Sequence, residues 1–498
     1  MGKNDAERTE LSRLPGIFEL PGGCTAAGEL RLKGAQTLLR VHSDSAMPQV
    51  EHGGYVEGRT DMGERVSLID CYTQGSSEVA FRDEPPKHRA EIFPHYVAIG
   101  RRHLRPTDAC VTGVHFTTAD LPSLFYDFDA FSLLLNARPV IDAILAERRA
   151  MRNVEAGEAP QVAYFTGKHQ IAEVNTRLGK ISVHHRPISS MGGPEGVDIK
   201  NRIVVSVEPS APITFETAMN SMHEVCCFLA LAAGRSQTIE RIDLSTTEIS
   251  DGYPCWIRAH ESLEWKPGSD NEGVKPHPGD VPLDPIRKEE EFRSVLTEWI
   301  RRHESWHVAR QRYLDCIRMG NNYGVNRLVA AANMFDILPS GAVPEPAPLE
   351  EALSNVKQMC IDAFRALEQG ADRDSALSAL GRLGKPSLPK KVAHRVSIVE
   401  QALGAQFPEL QLVTSTAVKC RNFFVHGGIR DIDFEKVEPL VPFFTDALEF
   451  VFAASDLLDS GWRPDDWASR PKGLGHIFTR FRLSYDASLT ELKKSLQA

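Results

Sequence analysis

Short runs of alternating apolar and polar residues fill the first half of the chain. They include 29–33, 37–41, 65–69, 111–116, 180–185 and 202–207, with glycine and proline between them. A period of two places the apolar side chains on one face of a strand, and frequent turn signals are typical of antiparallel β structure. Two stretches have a helical pattern instead, 130–152 and Phe215–Ala233, and Gly234 after the second is a natural helix end. We therefore predict a β-rich, mostly antiparallel sandwich interrupted by helices.

The hydrophobic period changes in the second half of the chain. Large side chains follow steps of four and three along one long predicted helix: Phe292, Leu296, Trp299, His303, Trp306, Arg310 and Tyr313. Segments of the same period lie at 328–335, 353–367, 413–424 and 444–458. Such steps place the side chains on one helical face, so this half is predicted to be a helical bundle.

A segment rich in proline and glycine separates the two patterns. Residues 266–285 contain five prolines and three glycines, which is typical of an exposed linker. The predicted fold class is therefore α+β and multidomain. We expect a β-rich region over residues 1–285, an all-α domain over 286–461, and a tail over 462–498 that packs back on one of them.

Composition narrows the class of protein. The 498 residues are 42% hydrophobic and 25% charged, with a formal net charge of −10, as in soluble globular proteins. A chain with a net negative charge does not favour non-specific binding of nucleic acid over its whole surface, so RNA binding would be confined to a local site. No apolar run approaches the roughly 20 residues of a membrane helix, and the polar start lacks a secretory signal. Nine cysteines without a CxxC pair predict a reduced, cytoplasmic protein.

One short motif near the end of the predicted bundle carries candidate chemistry. It reads Arg421-Asn422-Phe423-Phe424-Val425-His426-Gly427. An arginine, a polar residue, an apolar stretch and a histidine resemble the motif of HEPN domains, a superfamily with many metal-independent endoribonucleases. The resemblance implies that Arg421 and His426 are a catalytic pair, that Asn422 assists them, and that no metal or other cofactor takes part.

These residue types suit RNA cleavage without a metal ion. In that reaction the 2′-OH of one nucleotide attacks the adjacent phosphorus. An imidazole titrates near neutral pH and can accept or donate the proton. A guanidinium stays charged and can stabilise the charge that develops on the phosphate oxygens. Asn422 can add a neutral donor or orient the imidazole.

The spacing by itself has little specificity, because Arg302 and His307 repeat it. Context distinguishes the pair at 421: an amphipathic helix precedes it, and Gly427-Gly428 follow it as a helix end. Five helical steps turn about 140°, so Arg421 and His426 would not share one face. Either the last turn opens at Gly427, or a second subunit completes the site. HEPN domains usually place two motifs face to face, which implies a homodimer through this domain.

The chain as a whole resembles the ApeA family, in which a β-rich N-terminal region precedes an ApeA-like HEPN domain. The N-terminal features that carry the resemblance are Gly54-Tyr55-Val56-Glu57-Gly58, the strand at 66–71, Gly113-Val114-His115-Phe116 and Phe125-Tyr126-Asp127-Phe128. The family implies anti-phage defence by abortive infection. The N-terminal region would sense a phage-derived trigger or regulate, and the HEPN domain would cleave RNA. His115 is expected to be a structural residue.

A rival motif is the literal HExxH of His303, Glu304 and His307, the pattern of zinc peptidases. No third ligand follows at the usual spacing, and His303 lies on the apolar stripe of its helix. We expect a partly buried His303 beside Trp299 and Trp306.

Two further readings stay open at this point. The basic cluster Lys385, Lys390, Lys391, His394 and Arg395 can follow an RNA backbone or simply be a solvated loop beside a helix. The HEPN domain can also be catalytically silent and act as a dimer that binds nucleic acid or partners.

Overall fold

The computed structural model describes residues 12–81, 84–190, 192–194, 196–250, 252–263, 275–346, 348–427 and 433–497. The chain forms two compact units, residues 1–301 and 302–498. The predicted fold class is confirmed, since the first unit is built on strands and the second on helices. The domain limits at 285 and 461 stay predictions. Gly428 and residues 266–274 of the predicted linker lie outside the described residues.

Sixteen strands are present in the described part of the first unit. They are β1 Ser12–Leu20, β2 Cys24–Leu32, β3 Leu38–Ser43, β4 Gly54–Thr60, β5 Arg65–Phe81, β6 Glu84–Gly100, β7 Val111–Thr118, β8 Phe131–Leu134, β9 Val162–Phe165, β10 Gln170–Thr176, β11 Gly179–His185, β12 Ile188–Ser189, β13 Ile199–Lys200, β14 Ile203–Glu208, β15 Ile239–Ser250 and β16 Tyr253–Glu261. Every pairing between these named strands is antiparallel.

Six of the strands close into a ring, in the order β5, β6, β3, β2, β1, β4 and back to β5. Apolar side chains at alternate positions form the core of this ring, among them Phe18, Leu39, Val56 and Val66. Gly58 is required by close packing, because a Cβ there would lie 2.3 Å from Cδ1 of Phe18. We call these six strands the β-ring.

An open sheet continues from the β-ring. One edge of β6 pairs with β3 over residues 88–92 and with β16 over residues 96–100. From β16 the sheet continues through β15, β7, β14 and β11 to β10. The predicted sandwich is therefore wrong: long β6 changes partner along its length and joins both halves into one twelve-stranded sheet. Helix α3, Phe215–Ala233, lies against β7, and its predicted limits and its end at Gly234 are confirmed.

Two other predictions for the first unit need correction. The helix predicted at 130–152 is a short strand, β8, followed by helix α2, Arg138–Met151. Asn136, with a φ of 56°, and Pro139 near the helix start separate the two elements. Within the predicted exposed linker, the consecutive residues 280–283 are buried, Val281 and Leu283 among them, so this part of the segment packs against the protein.

The remaining helices of the described chain include one buried helix that several others contact. Besides the short α1, Leu121–Leu124, they are α4 Glu289–Arg318, α5 Val325–Asp336, α6 Glu351–Arg365, α7 Ala371–Arg382, α8 Leu388–Leu403, α9 Leu410–His426, α10 Phe434–Val437, α11 Val441–Asp459, α12 Asp465–Ser469 and α13 Ile477–Gln497. In the second unit, the buried helix α11 is contacted by α5, α8, α9 and α13. None of the described helices has the length and hydropathy needed to cross a lipid bilayer.

Candidate active site

Helix α9 carries the motif and stays regular to its last residue. It runs from Leu410 to His426, and the amide of Gly427 donates a hydrogen bond of 2.9 Å to the carbonyl of Phe423. Gly427 has a φ of 65°, a left-handed value that glycine adopts without strain. The predicted helix end is therefore confirmed, and the last turn does not open before it.

Arg421 is held in place by amide oxygens. Its guanidinium donates to Oδ1 of Asn333 at 2.7 Å and to Oδ1 of Asn422 at 3.0 Å. The side chain is only 14% exposed, and its Nε is buried without a partner among the described residues. Neutral amide partners fix the orientation of the guanidinium without neutralising its charge.

One carboxylate near Arg421 is shared between two cations. Oδ2 of Asp336 lies 3.9 Å from Nη2 of Arg421, and its Oδ1 lies 3.5 Å from Nζ of Lys391. Lys391 also donates to the main-chain carbonyl of Asp336 at 2.8 Å, which is one of the unsatisfied carbonyls at the end of α5. A single carboxylate neutralises one of the two cations, so this cluster favours an anion.

His426 is exposed, unlike Arg421. No hydrogen bond or ring contact joins the two side chains within the described chain, and the regular helix turns about 140° between them. The structure thus brings Arg421 together with Asn422 but not with His426. Of the two alternatives that the sequence left open, an unwound last turn is excluded for this single chain.

Asn333 and Asp336 were missed by the sequence analysis, and Lys391 was considered only as part of the basic cluster. The sequence does contain a pattern that points to Asn333 and Asp336. Asn333 and Asp336 are polar residues three apart at the end of α5, beside the buried Ala332 and Phe335. Their partner Arg421 is 88 residues from Asn333 in the chain, and a periodic pattern does not identify such a partner.

The basic cluster divides into buried and exposed members. Arg395 is buried and donates to Oγ of Ser455 at 2.9 Å and to Oδ2 of Asp459 at 2.7 Å. It is therefore unavailable to a nucleic-acid backbone. Lys385 and Lys390 are exposed, and burial lowers the pKa of His394.

The second Arg-x4-His pair has a structural role. Arg302 donates to the carbonyl of Asp456 at 3.2 Å and to Oγ of Ser460 at 3.0 Å. Its Cζ lies 4.4 Å from the ring centroid of Trp306, a distance typical of a cation–π contact. This guanidinium is fully engaged, whereas His307 is exposed.

The HExxH residues have no third ligand beside them among the described residues. The rings of His303 and His307 are 6.3 Å apart, and Nη1 of Arg310 lies 3.4 Å from Nδ1 of His303. A neighbouring guanidinium disfavours a cation at that nitrogen. Within the described ranges, no group of three or more histidine, cysteine or acidic side chains is placed to hold a metal ion. His303 is half-buried and Trp306 is buried, as expected.

Comparison with known families agrees with the two-part organisation. Residues 15–299 match the family model of ApeA N-terminal domain 1, and residues 329–466 match that of the Apea-like HEPN domain. The helical unit is thus of the HEPN class, whose members are generally nucleases. The chain belongs to the ApeA family, and it is an anti-phage defence protein of the HEPN type. Searches of curated proteins and of solved structures returned no match.

Proposed function

We propose that this protein is a metal-independent endoribonuclease in which Arg421, His426 and Asn422 form the active site. The observation that carries the proposal is the fixed, amide-held guanidinium of Arg421, 14% exposed, beside a carboxylate already shared with Lys391. A guanidinium in this setting keeps its charge for a phosphate and stabilises the transition state without reorganisation.

The reaction follows from the residue types. The 2′-oxygen attacks the adjacent phosphorus and loses its proton, and the bond from phosphorus to the 5′-oxygen breaks. The products are a 2′,3′-cyclic phosphate and a 5′-hydroxyl end. His426 accepts the first proton or supplies the second, and water supplies or accepts the other, while Arg421 binds the phosphate oxygens. Asn422 holds the guanidinium on its second side.

A second copy of the chain completes the site in this proposal. The α9 helix is regular, so Arg421 and His426 of one chain diverge by about 140°. Two α9 ends related by a two-fold axis would place Arg421 of one chain near His426 of the other. The homodimer therefore forms through the HEPN domain.

The wider role rests on the family. We place a sensing or regulating region at residues 1–285, the nuclease at 286–461 and an attached tail at 462–498. A phage-derived trigger would release RNA cleavage in the cytoplasm and abort the infection. A silent HEPN dimer that only binds nucleic acid is the rival that the experiment has to exclude.

The decisive experiment is sequencing of RNA ends from phage-infected cells that express the wild-type chain, His426→Ala or His307→Ala. His307→Ala is the matched control, because it removes the exposed histidine of the other Arg-x4-His pair. We expect new 5′-hydroxyl ends with the wild type and with His307→Ala, and none with His426→Ala. Absence of new ends with all three chains would support the silent dimer, and equal new ends with all three would refute the assignment of His426.

A further inference from the structure

A cavity of about 740 Å³ lies at one end of the β-ring, within the first unit. Its apolar floor consists of Leu14, Leu32 and Ile99, which belong to the core of the ring or pack against it. Residues 62–64 of the turn between β4 and β5 also line it. Mouths of β-barrels are common ligand sites, and this volume is that of a small-molecule pocket.

Polar residues from the open sheet form another wall of the cavity. Arg241 and Asp243 of β15 and Trp256, Arg258 and His260 of β16 line it. Asp243 pairs in register with Arg258, and successive alternate positions of a strand share one face. The wall is therefore set by the sheet register and not by a loop.

The described lining of this cavity carries an excess of positive charge. One oxygen of Asp243 lies 2.5 Å from Nε of Arg241 and the other 3.7 Å from Nε of Arg258. One carboxylate compensates only one of these two guanidiniums. Arg101 and Glu64 add one charge of each sign. Burial lowers the pKa of His260 to about 4, so the imidazole is neutral and can hydrogen-bond without adding charge.

Trp256 provides a fixed aromatic surface at the same wall. It is 51% exposed, and its ring centroid lies 4.7 Å from that of His115. His115 is in turn positioned by Oγ of Ser206 at 2.7 Å and Oγ of Ser245 at 3.3 Å. A hydrogen-bonded imidazole therefore holds the indole from one side, and half of the indole surface stays open.

We infer that this cavity binds a nucleoside phosphate. The base stacks on Trp256, an interaction that any base can make. The phosphate binds the arginines, whose planar donors match its oxygens. The ribose hydroxyls and base amines donate to the carboxylates of Asp243 and Glu64. A fatty acid would leave these carboxylates without donors, and inorganic phosphate would leave the indole and the apolar floor uncovered.

Isothermal titration calorimetry on the full chain tests this inference with four probes: ATP, GTP, AMP and inorganic phosphate. We expect at least one nucleotide to bind, and inorganic phosphate to bind at least tenfold more weakly. Trp256→Ala and Arg258→Gln should each weaken nucleotide binding by about tenfold or more. Trp256→Phe should retain most of the affinity because it keeps an aromatic face.

The control is Arg102→Gln. Arg102 follows the lining residue Arg101 in the chain, and its own Nη1 lies 3.1 Å from Glu248. This variant should bind nucleotide as the wild type does. Absence of binding for all three nucleotides would overturn the inference. So would unchanged affinity in Trp256→Ala and Arg258→Gln at wild-type thermal stability, or inorganic phosphate binding as tightly as the nucleotides. The His426→Ala variant should bind equally well, since the inference does not depend on nuclease activity.

Discussion

The chain contains the same Arg-x4-His spacing twice, on α4 and on α9, and the two copies differ in what surrounds the arginine. Arg302 lies against buried Asp456 and over the face of Trp306. Arg421 is bonded to two neutral amides, with its nearest carboxylate shared by Lys391. A guanidinium that neutralises a buried carboxylate stabilises the fold, whereas one held by amides keeps its charge for a ligand. The spacing alone does not distinguish these roles, but the partners do.

The largest expected effect is on the rate of RNA cleavage, and it distinguishes the Arg-x4-His pair on α9 from the pair on α4. We expect Arg421→Ala and His426→Ala each to lower RNA cleavage by about a thousandfold or more, and His307→Ala to leave it within about twofold of wild type. Cleavage of a labelled RNA by the purified chain measures this. Wild-type rates in His426→Ala would refute the site assignment, and circular dichroism should show that all three variants are folded.

Mixing the two inactive chains tests whether α9 acts in pairs. If each site combines Arg421 of one subunit with His426 of the other, a mixture of Arg421→Ala and His426→Ala chains should recover about a quarter of the wild-type rate, because half the dimers are mixed and each has one intact site. The measurement is cleavage after co-refolding or co-expression. No recovery in proven mixed dimers would mean that each chain supplies its own complete site.

Because arginines of α4 bind a buried carboxylate, we expect substitution of one of them to lower the stability of the fold. Arg310 donates two hydrogen bonds to buried Asp456, at 2.8 and 2.9 Å. Burial acts to raise the pKa of Asp456, but Arg310 and Arg302 hold it below its ordinary value. Arg310→Ala should therefore lower the free energy of unfolding by about 3–5 kcal/mol at neutral pH.

The pH dependence of this loss has a definite sign. A lowered carboxylate pKa stabilises the fold above the unfolded value of about 4. That contribution disappears as pH falls through the folded pKa, so the gap between wild type and Arg310→Ala should narrow in acid. Urea unfolding of both chains at pH 7 and near pH 3 measures it. A gap that is the same at both values would show that lost packing, and not charge, dominates.

The smallest effect is expected at the HExxH residues. EDTA and Glu304→Gln should each leave RNA cleavage within about twofold of the untreated wild type, because Arg421 supplies the charge that a metal would supply. Activity that is lost in EDTA and restored by zinc would favour the zinc-peptidase alternative.

The helical half was the more predictable from sequence, because its signals are local. The stripe of α9 and its end at Gly427 lie within a few turns of one helix, and the structure has both. The α7 helix was missed, and it has only two leucines and three alanines among its twelve residues, so its apolar period is weak. The α8 and α13 helices were not predicted either, although each buries several apolar side chains.

The contacts around the proposed active site were not predictable in the same way. Arg395 and Lys391 are both basic residues of one short segment, yet Arg395 is buried against Asp459, 64 residues away, while Lys391 joins the Arg421 cluster. The joining of the two halves into one sheet is likewise decided by strands far apart in the chain, because β6 pairs with β3 over residues 88–92 and with β16 over residues 96–100. Period and composition describe which face of an element is apolar, but they do not identify the element that covers it.

The two halves of the twelve-stranded sheet also differ in their exposure to aggregation. Every strand of the β-ring has neighbours on both sides, whereas β10 ends the open sheet with one edge unpaired among the described residues. An unpaired edge can recruit a strand from another molecule. β10 carries Glu173 and a bulge between Gln170 and Ala172, features that discourage such pairing. Aggregation through the twelve-stranded sheet is therefore expected to begin at the open edge of β10 only where these features are overcome.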